Sequence, residues 1–261
     1  RLALRDLPDL AVQLGRRALV QPARLLETRR APRRGGAEEE LPPKLAATRA
    51  RGFRGFDESV VRIIRTNLHF LLPPGKDKVI MVTSNESGDG KTFITGNLGA
   101  TIAITNKKTV LLELDLRKPK LTELLTGEKP GAGITNYLVG DTDLEELIKP
   151  VKGYDHLYQI SSGPTPPNPA ELILSDKMDK LFEYLKNNFD YVIVDTPPVS
   201  LVTDTFLLNR FASATVFVIR ANKTKKEDLK VIDELAEEGK LHSPAIILNS
   251  AKPSKRYGYY Y

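Results

Sequence analysis

The sequence contains no cysteine, which excludes disulfides, thiolate chemistry and any zinc site built on Cys ligands. Histidine is scarce too, and His69, His156 and His242 lack metal-ligand spacing. No apolar run approaches the roughly 20 residues needed to span a bilayer, and no signal peptide is recognisable. The 261 residues, 41% of them apolar, are sufficient for one globular core with appendages.

The net charge of +6 is concentrated at the N-terminal end. Residues 1–56 contain 13 basic and 6 acidic side chains, whereas the remainder contains 26 and 27. Residues 31–43 are rich in Pro, Gly and charge, which is typical of a linker. We therefore expect residues 1–56 to be weakly ordered, as a solvated tail, a fused piece or a juxtamembrane segment beside anionic lipid. Because the rest of the chain is nearly neutral, we expect no nucleic-acid partner.

Beyond residue 57, two kinds of apolar pattern alternate. Helical spacing predicts helices over 57–72, 91–105, 120–125, 143–149, 170–188, 203–211 and 225–240. Short apolar runs predict strands over 78–83, 109–114, 157–160, 191–194, 214–219 and 245–248. Runs such as VIMV and AIIL are apolar on both faces, so we expect a mostly parallel central sheet with helices on both faces, an α/β three-layer sandwich.

Residues 85–92 (NESGDGKT) lie between a predicted strand and a predicted helix, as a phosphate-binding P-loop requires. Asn85 stands where the P-loop pattern has Gly, and Asn tolerates a left-handed backbone better than most residues. Lys91 would neutralise phosphates and Thr92 would bind Mg²⁺. The residues expected to bind ATP are Ser87, Gly88, Asp89, Gly90, Lys91, Thr92 and Phe93.

Two other predicted strands end in acidic residues. Asp195 ends the run YVIVD and is expected at the metal. Glu113 and Asp115 are two residues apart, so we expect both side chains to point the same way at the carboxyl edge of the sheet. There they would hold the metal or accept a proton from an attacking hydroxyl.

The C-terminal segment RYGYYY holds four of the nine tyrosines in its last five residues. Phenol rings in an untethered tail do not serve a core. An aromatic end without a function is one interpretation, and a cluster of phosphate acceptors is the other. The tyrosines concerned are Tyr257, Tyr259, Tyr260 and Tyr261.

Together these motifs resemble the bacterial tyrosine kinases, or BY-kinases, of capsule and exopolysaccharide co-polymerase systems. The resemblance is carried by NESGDGKT, LLELDLRKP, VIVDTPP and the tail YGYYY, with further matches in RTNL, GPTPPNPAEL and ILNS. It covers residues 57–261 and implies a P-loop NTPase-like kinase domain over 57–250 and a tyrosine-rich tail over 251–261. The implied cofactors are ATP and Mg²⁺.

The resemblance also implies roles for individual residues. Lys91 and Thr92 serve Mg–ATP, Asp115 is the base or a metal ligand, Asp195 lies at the metal, and Asn249 approaches the adenine. The family usually has Asp where this chain has Glu113. The implied oligomerisation motif, Glu-x-x-Arg-x-x-Arg, is matched by Arg62 and Arg65, but its Glu position is Ser59 and the nearest acid is Glu58.

The implied activity is that of a protein-tyrosine kinase that phosphorylates its own tail in trans. Assembly and dispersal of a ring-shaped homo-oligomer would then regulate polysaccharide polymerisation and export. The implied partners are a transmembrane adaptor, a cognate tyrosine phosphatase and protein substrates that carry tyrosine. The implied location is the cytoplasmic side of the bacterial inner membrane.

Two other interpretations stay open. A partitioning-type P-loop ATPase shares the fold, but such proteins carry an extra lysine where this chain has Glu86. A nucleotide-binding regulator without kinase activity is compatible with Asn85 and Glu113.

Overall fold

The computed structural model describes residues 26–27, 72, 78–200, 204–225 and 227–250. The predicted helix over 57–72 falls outside these residues except for Leu72. The oligomerisation residues Glu58, Arg62 and Arg65 and the four tail tyrosines fall outside them as well. These expectations therefore stay predictions.

An eight-stranded sheet forms the centre of the fold, in the order β1-β8-β7-β2-β6-β3-β5-β4. Neighbouring strands are parallel except for the antiparallel pair β4–β5. The mostly parallel sheet predicted from the sequence is confirmed. The strands are β1 (Leu26–Glu27), β2 (Val79–Ser84), β3 (Thr109–Glu113), β4 (Lys149–Pro150), β5 (Leu157–Ile160), β6 (Tyr191–Asp195), β7 (Ala214–Arg220) and β8 (Pro244–Asn249).

The helices connect successive strands of the sheet. They are α1 (Lys91–Ala103), α2 (Leu121–Thr126), α3 (Ile134–Val139), α4 (Leu144–Leu147), α5 (Pro169–Ile173), α6 (Asp176–Asn188), α7 (Asp204–Leu208) and α8 (Asp228–Glu237), with a 3₁₀ turn at Asn209–Phe211. In the described part of the chain, no helix combines the length and the apolar character that a membrane crossing demands.

Successive residues of each central strand enter two different hydrophobic cores. In β2, Val79 and Met81 face one core while Ile80 and Val82 face the other. The first core includes apolar residues of α3, α6 and α8, and the second includes those of α1 and α2. The sheet is thus covered on both faces, which confirms the three-layer prediction and explains why its strands are apolar without alternation.

Strand register brings the chemically important residues to one edge. Asp195 at the end of β6 pairs with Val82 of β2 on one side and with Glu113 of β3 on the other. On the far side of β2, Arg220 at the end of β7 pairs with Asn249 at the end of β8. In parallel sheets, ligands bind at the carboxyl ends of the strands, where the order of strands reverses.

Several predicted elements differ from the structure. The helix predicted over 170–188 is two helices, α5 and α6, because Ser175 has an extended backbone and its hydroxyl bonds the carbonyl of Leu172. The segment 143–149 forms only the short α4 before Lys149 enters β4, and 203–211 ends as a 3₁₀ turn. The helix α3 and the two-residue strands β1 and β4 were not predicted, since their length carries no periodic signal.

Candidate nucleotide-binding and phosphotransfer site

The phosphate-binding loop joins β2 to α1 through residues 85–90. Gly88 (φ 86°) and Gly90 (φ 101°) have left-handed backbones that favour glycine. A Cβ on Gly90 would also collide with Nδ2 of Asn249. Asn85 is not among the described residues with positive φ. The tolerance of Asn for a left-handed backbone is therefore not what allows this loop to close.

Lys91 is the first residue of α1, and its ammonium lies between two carboxylates. Its Nζ is 2.8 Å from Oδ2 of Asp115 and 3.6 Å from Oδ1 of Asp195. Burial by itself lowers the pKa of Lys91, but Asp195 and Asp115 raise it, and the net shift is upward. The lysine is therefore charged at neutral pH, beside the N-terminus of a helix that already favours anions.

Asp195, the last residue of β6, is fully buried. Its Oδ2 accepts a hydrogen bond of 2.8 Å from Oγ1 of Thr92, whereas its Oδ1 accepts none from the described residues. Burial raises the pKa of Asp195 to about 6, although Lys91 and Thr92 lower it. A buried carboxylate oxygen without a donor, beside a P-loop hydroxyl, fits the oxygen ligands that Mg²⁺ prefers. Thr92 and Asp195 are therefore a suitable pair for the Mg²⁺ of a bound nucleotide.

Asp115 lies just beyond β3, in a loop that several contacts hold in place. Its Oδ1 accepts a hydrogen bond of 3.1 Å from the backbone N–H of Lys118, and its Oδ2 accepts one from Lys91. The Nε of Arg117 lies 2.9 Å from Oδ2 of the buried Asp204 at the start of α7. These contacts fix the carboxylate of Asp115 beside the phosphate-binding loop, where the sequence placed it.

The side chain of Glu113 contacts the start of α2 and Ser162. Its side chain is fully buried, and Oε1 accepts the backbone N–H groups of Leu121 and Thr122, at the start of α2. Its Oε2 accepts Oγ1 of Thr122 at 2.7 Å and the backbone N–H of Ser162 at 3.2 Å. Four donors already use both oxygens of Glu113, so its carboxylate is not open to a ligand beside Asp115, and its role as a metal ligand or base stays a prediction. Glu113 anchors the N-terminus of α2.

Asn249 contacts the phosphate-binding loop directly. Its Nδ2 donates a hydrogen bond of 2.8 Å to the carbonyl of Asp89. Two cations that the sequence analysis did not single out, Arg220 and Lys223, contact the same loop from the end of β7. No sequence signal identifies them, because a basic residue in a turn after a strand is common on any protein surface.

A cavity of about 470 Å³ opens beside the loop, on the side of Asp115. Its walls combine the loop, the Asp115 segment and apolar side chains. They are formed by Ser87, Gly88, Gly90, Lys91, Thr92, Phe93, Asp115, Arg117, Lys118, Lys120, Glu123, Leu124, Pro197 and Pro198. The side chain of Asp89 is instead turned towards Lys223, at 2.9 Å. Most of the residues expected to bind ATP therefore line one cavity.

Comparison with known proteins identifies the family of this chain. Residues 77–235 match the AAA domain family. The putative tyrosine-protein kinase CapB of Staphylococcus aureus is 33% identical over 201 residues, which cover 77% of this chain and 87% of that protein. The chain belongs to the bacterial tyrosine-protein kinase family. This confirms the enzyme class and the P-loop fold that the motifs predicted.

Other kinases of the family are much longer than this chain, and the chain matches only part of them. The tyrosine-protein kinase Wzc of Salmonella typhi is 34% identical over 207 residues, which cover 77% of this chain but only 28% of that protein. The solved kinase domain of the Escherichia coli tyrosine kinase ETK has a TM-score of 0.72 and 29% identity, and the match covers 87% of this chain and 88% of that domain. The chain thus corresponds to the kinase domain of its longer relatives.

Proposed function

We propose that this domain transfers the γ-phosphoryl group of ATP to tyrosines of its own C-terminal tail, on a neighbouring copy of the chain. The observation that carries the proposal is the position of Asp115. Its carboxylate lines the cavity together with Lys91 of the phosphate-binding loop. Phe93, Leu124 and Pro198 supply apolar surface in the same cavity, which suits a phenol ring.

In the proposed reaction, each residue of the site has a separate role. The phosphates would lie on the N-terminus of α1, with the ammonium of Lys91 on the β- and γ-phosphates. The tyrosine oxygen would form the new P–O bond while the bond to the ADP oxygen breaks, and Asp115 would accept the phenolic proton. Mg²⁺, bound to the nucleotide and to Thr92 and Asp195, would supply neutralisation of the charge on the transferred group.

Asp115 is not free to act as a base while it bonds Lys91. Phosphate oxygens would compete with Asp115 for the ammonium, since Oδ2 of Asp115 and a bound phosphate need the same cation. Nucleotide binding would then release one carboxylate oxygen next to the acceptor. Asp115 would therefore become available as a base only after ATP has bound, whichever substrate enters first.

Phosphorylation of the tail would also regulate assembly. Each phosphotyrosine adds about −1.5 to −2 charges, so four on one tail would place roughly −6 to −8 beside the site of the next copy. We propose that this repulsion disperses a homo-oligomer, and that the cycle serves capsule or exopolysaccharide export. A transmembrane adaptor, a tyrosine phosphatase and a position at the cytoplasmic face of the membrane belong to the same proposal.

The test uses two variants of the chain mixed in one reaction with Mg–ATP. One carries Lys91→Met and keeps the tail. The other keeps the site, and its Tyr257, Tyr259, Tyr260 and Tyr261 are changed to Phe. Intact mass spectrometry should find phosphate on the first variant only, and none when Asp115→Asn is added to the second. Hydrolysis of ATP without a mass gain on either chain would assign a switch ATPase instead.

The oligomer part of the proposal has its own measurement. Light scattering should report a smaller particle after the tail has been phosphorylated than before. A fully phosphorylated tail with an unchanged particle mass would reject the dispersal, while leaving the kinase reaction itself in place.

A further inference from the structure

The outer side of the phosphate-binding loop is bound by one ammonium from the turn after β7. The Nζ of Lys223 donates to the carbonyl of Ser87 at 2.8 Å and to Oδ1 of Asp89 at 2.9 Å. It also lies 3.2 Å from Oε2 of Glu86. Burial by itself lowers the pKa of Lys223, but hydrogen bonds to Asp89 and Glu86 raise it, and the net shift is upward. Three of the four loop residues from Glu86 to Asp89 thus contact one cation.

A second cation binds the next peptide of the loop. The Nη1 of Arg220 donates to the carbonyl of Gly88 at 2.7 Å. The carbonyls of residues 87 and 88 are therefore both held from the same side of the molecule.

The geometry of the peptide bond gives these contacts a consequence for phosphate binding. In a trans peptide, the C=O and the N–H point in opposite directions, and no described peptide is cis. When Lys223 and Arg220 hold two carbonyls outward, the N–H groups of Gly88 and Asp89 must point to the other side of the loop. Inward N–H groups are what a P-loop uses to bind phosphate oxygens.

The cations themselves are anchored by the turn that carries them. Oγ1 of the buried Thr224 accepts the backbone N–H of Arg220 at 2.9 Å, and the N–H of Thr224 donates to the carbonyl of Arg220 at 3.0 Å. The N–H of Ala221 donates to the carbonyl of Asn249 at 2.9 Å, which ties the turn to β8. These bonds fix the backbone from which the side chain of Lys223 reaches the loop.

The anionic partner within the loop is also anchored. Asp89 is only 2% exposed, and its Oδ2 accepts the backbone N–H of Glu86 at 3.0 Å. Ion pairs between fully exposed side chains contribute little, because water screens them and their side chains lose freedom. The contact of Lys223 differs, since one partner is buried and another is backbone.

We propose that Lys223, assisted by Arg220, is a positioning residue that holds the phosphate-binding loop with its N–H groups directed inward. Binding energy of the nucleotide is then not used to order the loop, which strengthens phosphate binding. The inference rests on nucleotide binding by the loop and not on tyrosine phosphorylation. Failure of the kinase proposal therefore leaves it standing, and the reverse also holds.

The experiment measures dissociation constants by calorimetry for Mg–ADP and for Mg–pyrophosphate, which has the phosphates but no adenosine. Lys223→Ala should weaken both by about tenfold, or ~1.4 kcal/mol. Lys223→Arg should recover most of the loss, because it keeps the cation. Lys225→Ala, in the same turn region but with an exposed side chain, is the matched control and should bind both ligands as the parent chain does.

Two outcomes of the binding experiment would overturn the proposal. Unchanged constants for Lys223→Ala would show that phosphate binding does not depend on Lys223. Weaker binding of Mg–ADP with an unchanged dissociation constant for Mg–pyrophosphate would show that Lys223 contacts the adenosine and does not position the loop.

Amide hydrogen exchange separates positioning from general stability. In Lys223→Ala, exchange should accelerate at residues 86–90 and stay unchanged in β3 and β6. Faster exchange throughout the sheet, with a lower melting temperature, would mean that Lys223 stabilises the fold as a whole, and the positioning role would then be rejected.

Discussion

The ammonium of Lys91 lies 2.8 Å from Oδ2 of Asp115, and the two side chains are only 10% and 6% exposed. A buried ion pair of this kind joins the residue that would bind phosphate to the residue that would take the acceptor's proton. Removing one member leaves a buried charge without its partner, which costs more than the pair contributes. Stability and activity are therefore coupled at this contact.

Lys91→Met tests the two effects of this contact together. The change removes the cation from Asp115 and Asp195, so we expect a loss of about 3 kcal/mol in the free energy of unfolding at pH 8. Phosphoryl transfer should fall by about 100-fold or more, since the developing charge loses a donor. Urea denaturation and mass spectrometry measure the two quantities, with Lys225→Met as the control. Retained transfer in a folded Lys91→Met would contradict the assigned role.

Asp195→Asn should change the pH dependence of stability. The folded chain raises the pKa of Asp195 from its ordinary 3.8 to about 6 through burial. The folded state thus binds the proton more tightly than the unfolded chain. Protonation of Asp195 therefore contributes fully to the free energy of unfolding below pH ~4, and this contribution is lost as the pH rises through ~6.

The expected result is a variant that is more stable than the parent chain at pH 8, by about 2–3 kcal/mol, with the gain vanishing near pH 4. Binding of Mg–ADP should weaken at the same time, because the ligand for the metal is lost. Urea titrations from pH 4 to 8 measure the effect, with the exposed Asp141→Asn as control. A gain that is the same at every pH would show that ionisation of Asp195 is not its origin.

Glu113→Gln distinguishes an anchor from a catalytic group. The amide leaves one acceptor oxygen for four donors, so we expect a loss of about 2–4 kcal/mol in the free energy of unfolding. Well below its melting temperature, the variant should still bind Mg–ADP. Glu128→Gln, on an exposed turn, should change neither quantity. Normal stability with abolished phosphoryl transfer would restore the catalytic role that the sequence suggested.

Gly90→Ala and Gly127→Ala separate crowding from backbone strain. Both glycines have positive φ, but only Gly90 faces a neighbour, Nδ2 of Asn249, while the space around Gly127 is open. We expect Gly127→Ala to cost about 1 kcal/mol of stability with normal nucleotide binding. Gly90→Ala should weaken Mg–ADP binding by at least about tenfold because Asn249 must move. Equal effects of both substitutions on binding would indicate that strain alone decides.

Local pattern was sufficient for much of the fold. The central strands and α1 were predicted to within two residues at either end, because the strands are short apolar runs, α1 has helical spacing, and turn residues flank each of them. The prediction was wrong where the apolar spacing of a helix continues through a position at which the backbone leaves the helical conformation. Ser175 separates α5 from α6 inside one amphipathic stretch, since its hydroxyl offers a bond to a nearby carbonyl that competes with helix continuation.

The sequence by itself established the P-loop and the acidic strand ends, because those motifs place chemistry within a few consecutive residues. It also placed Lys91, Asp115 and Asp195 in one site, since parallel strands bring their carboxyl ends to one edge. Tertiary structure alone decided that Glu113 anchors α2 and that Lys223 binds the phosphate-binding loop. Those roles depend on donors and acceptors 8 to 136 positions away in the chain, and a distance of that kind leaves no periodic or local signal to read.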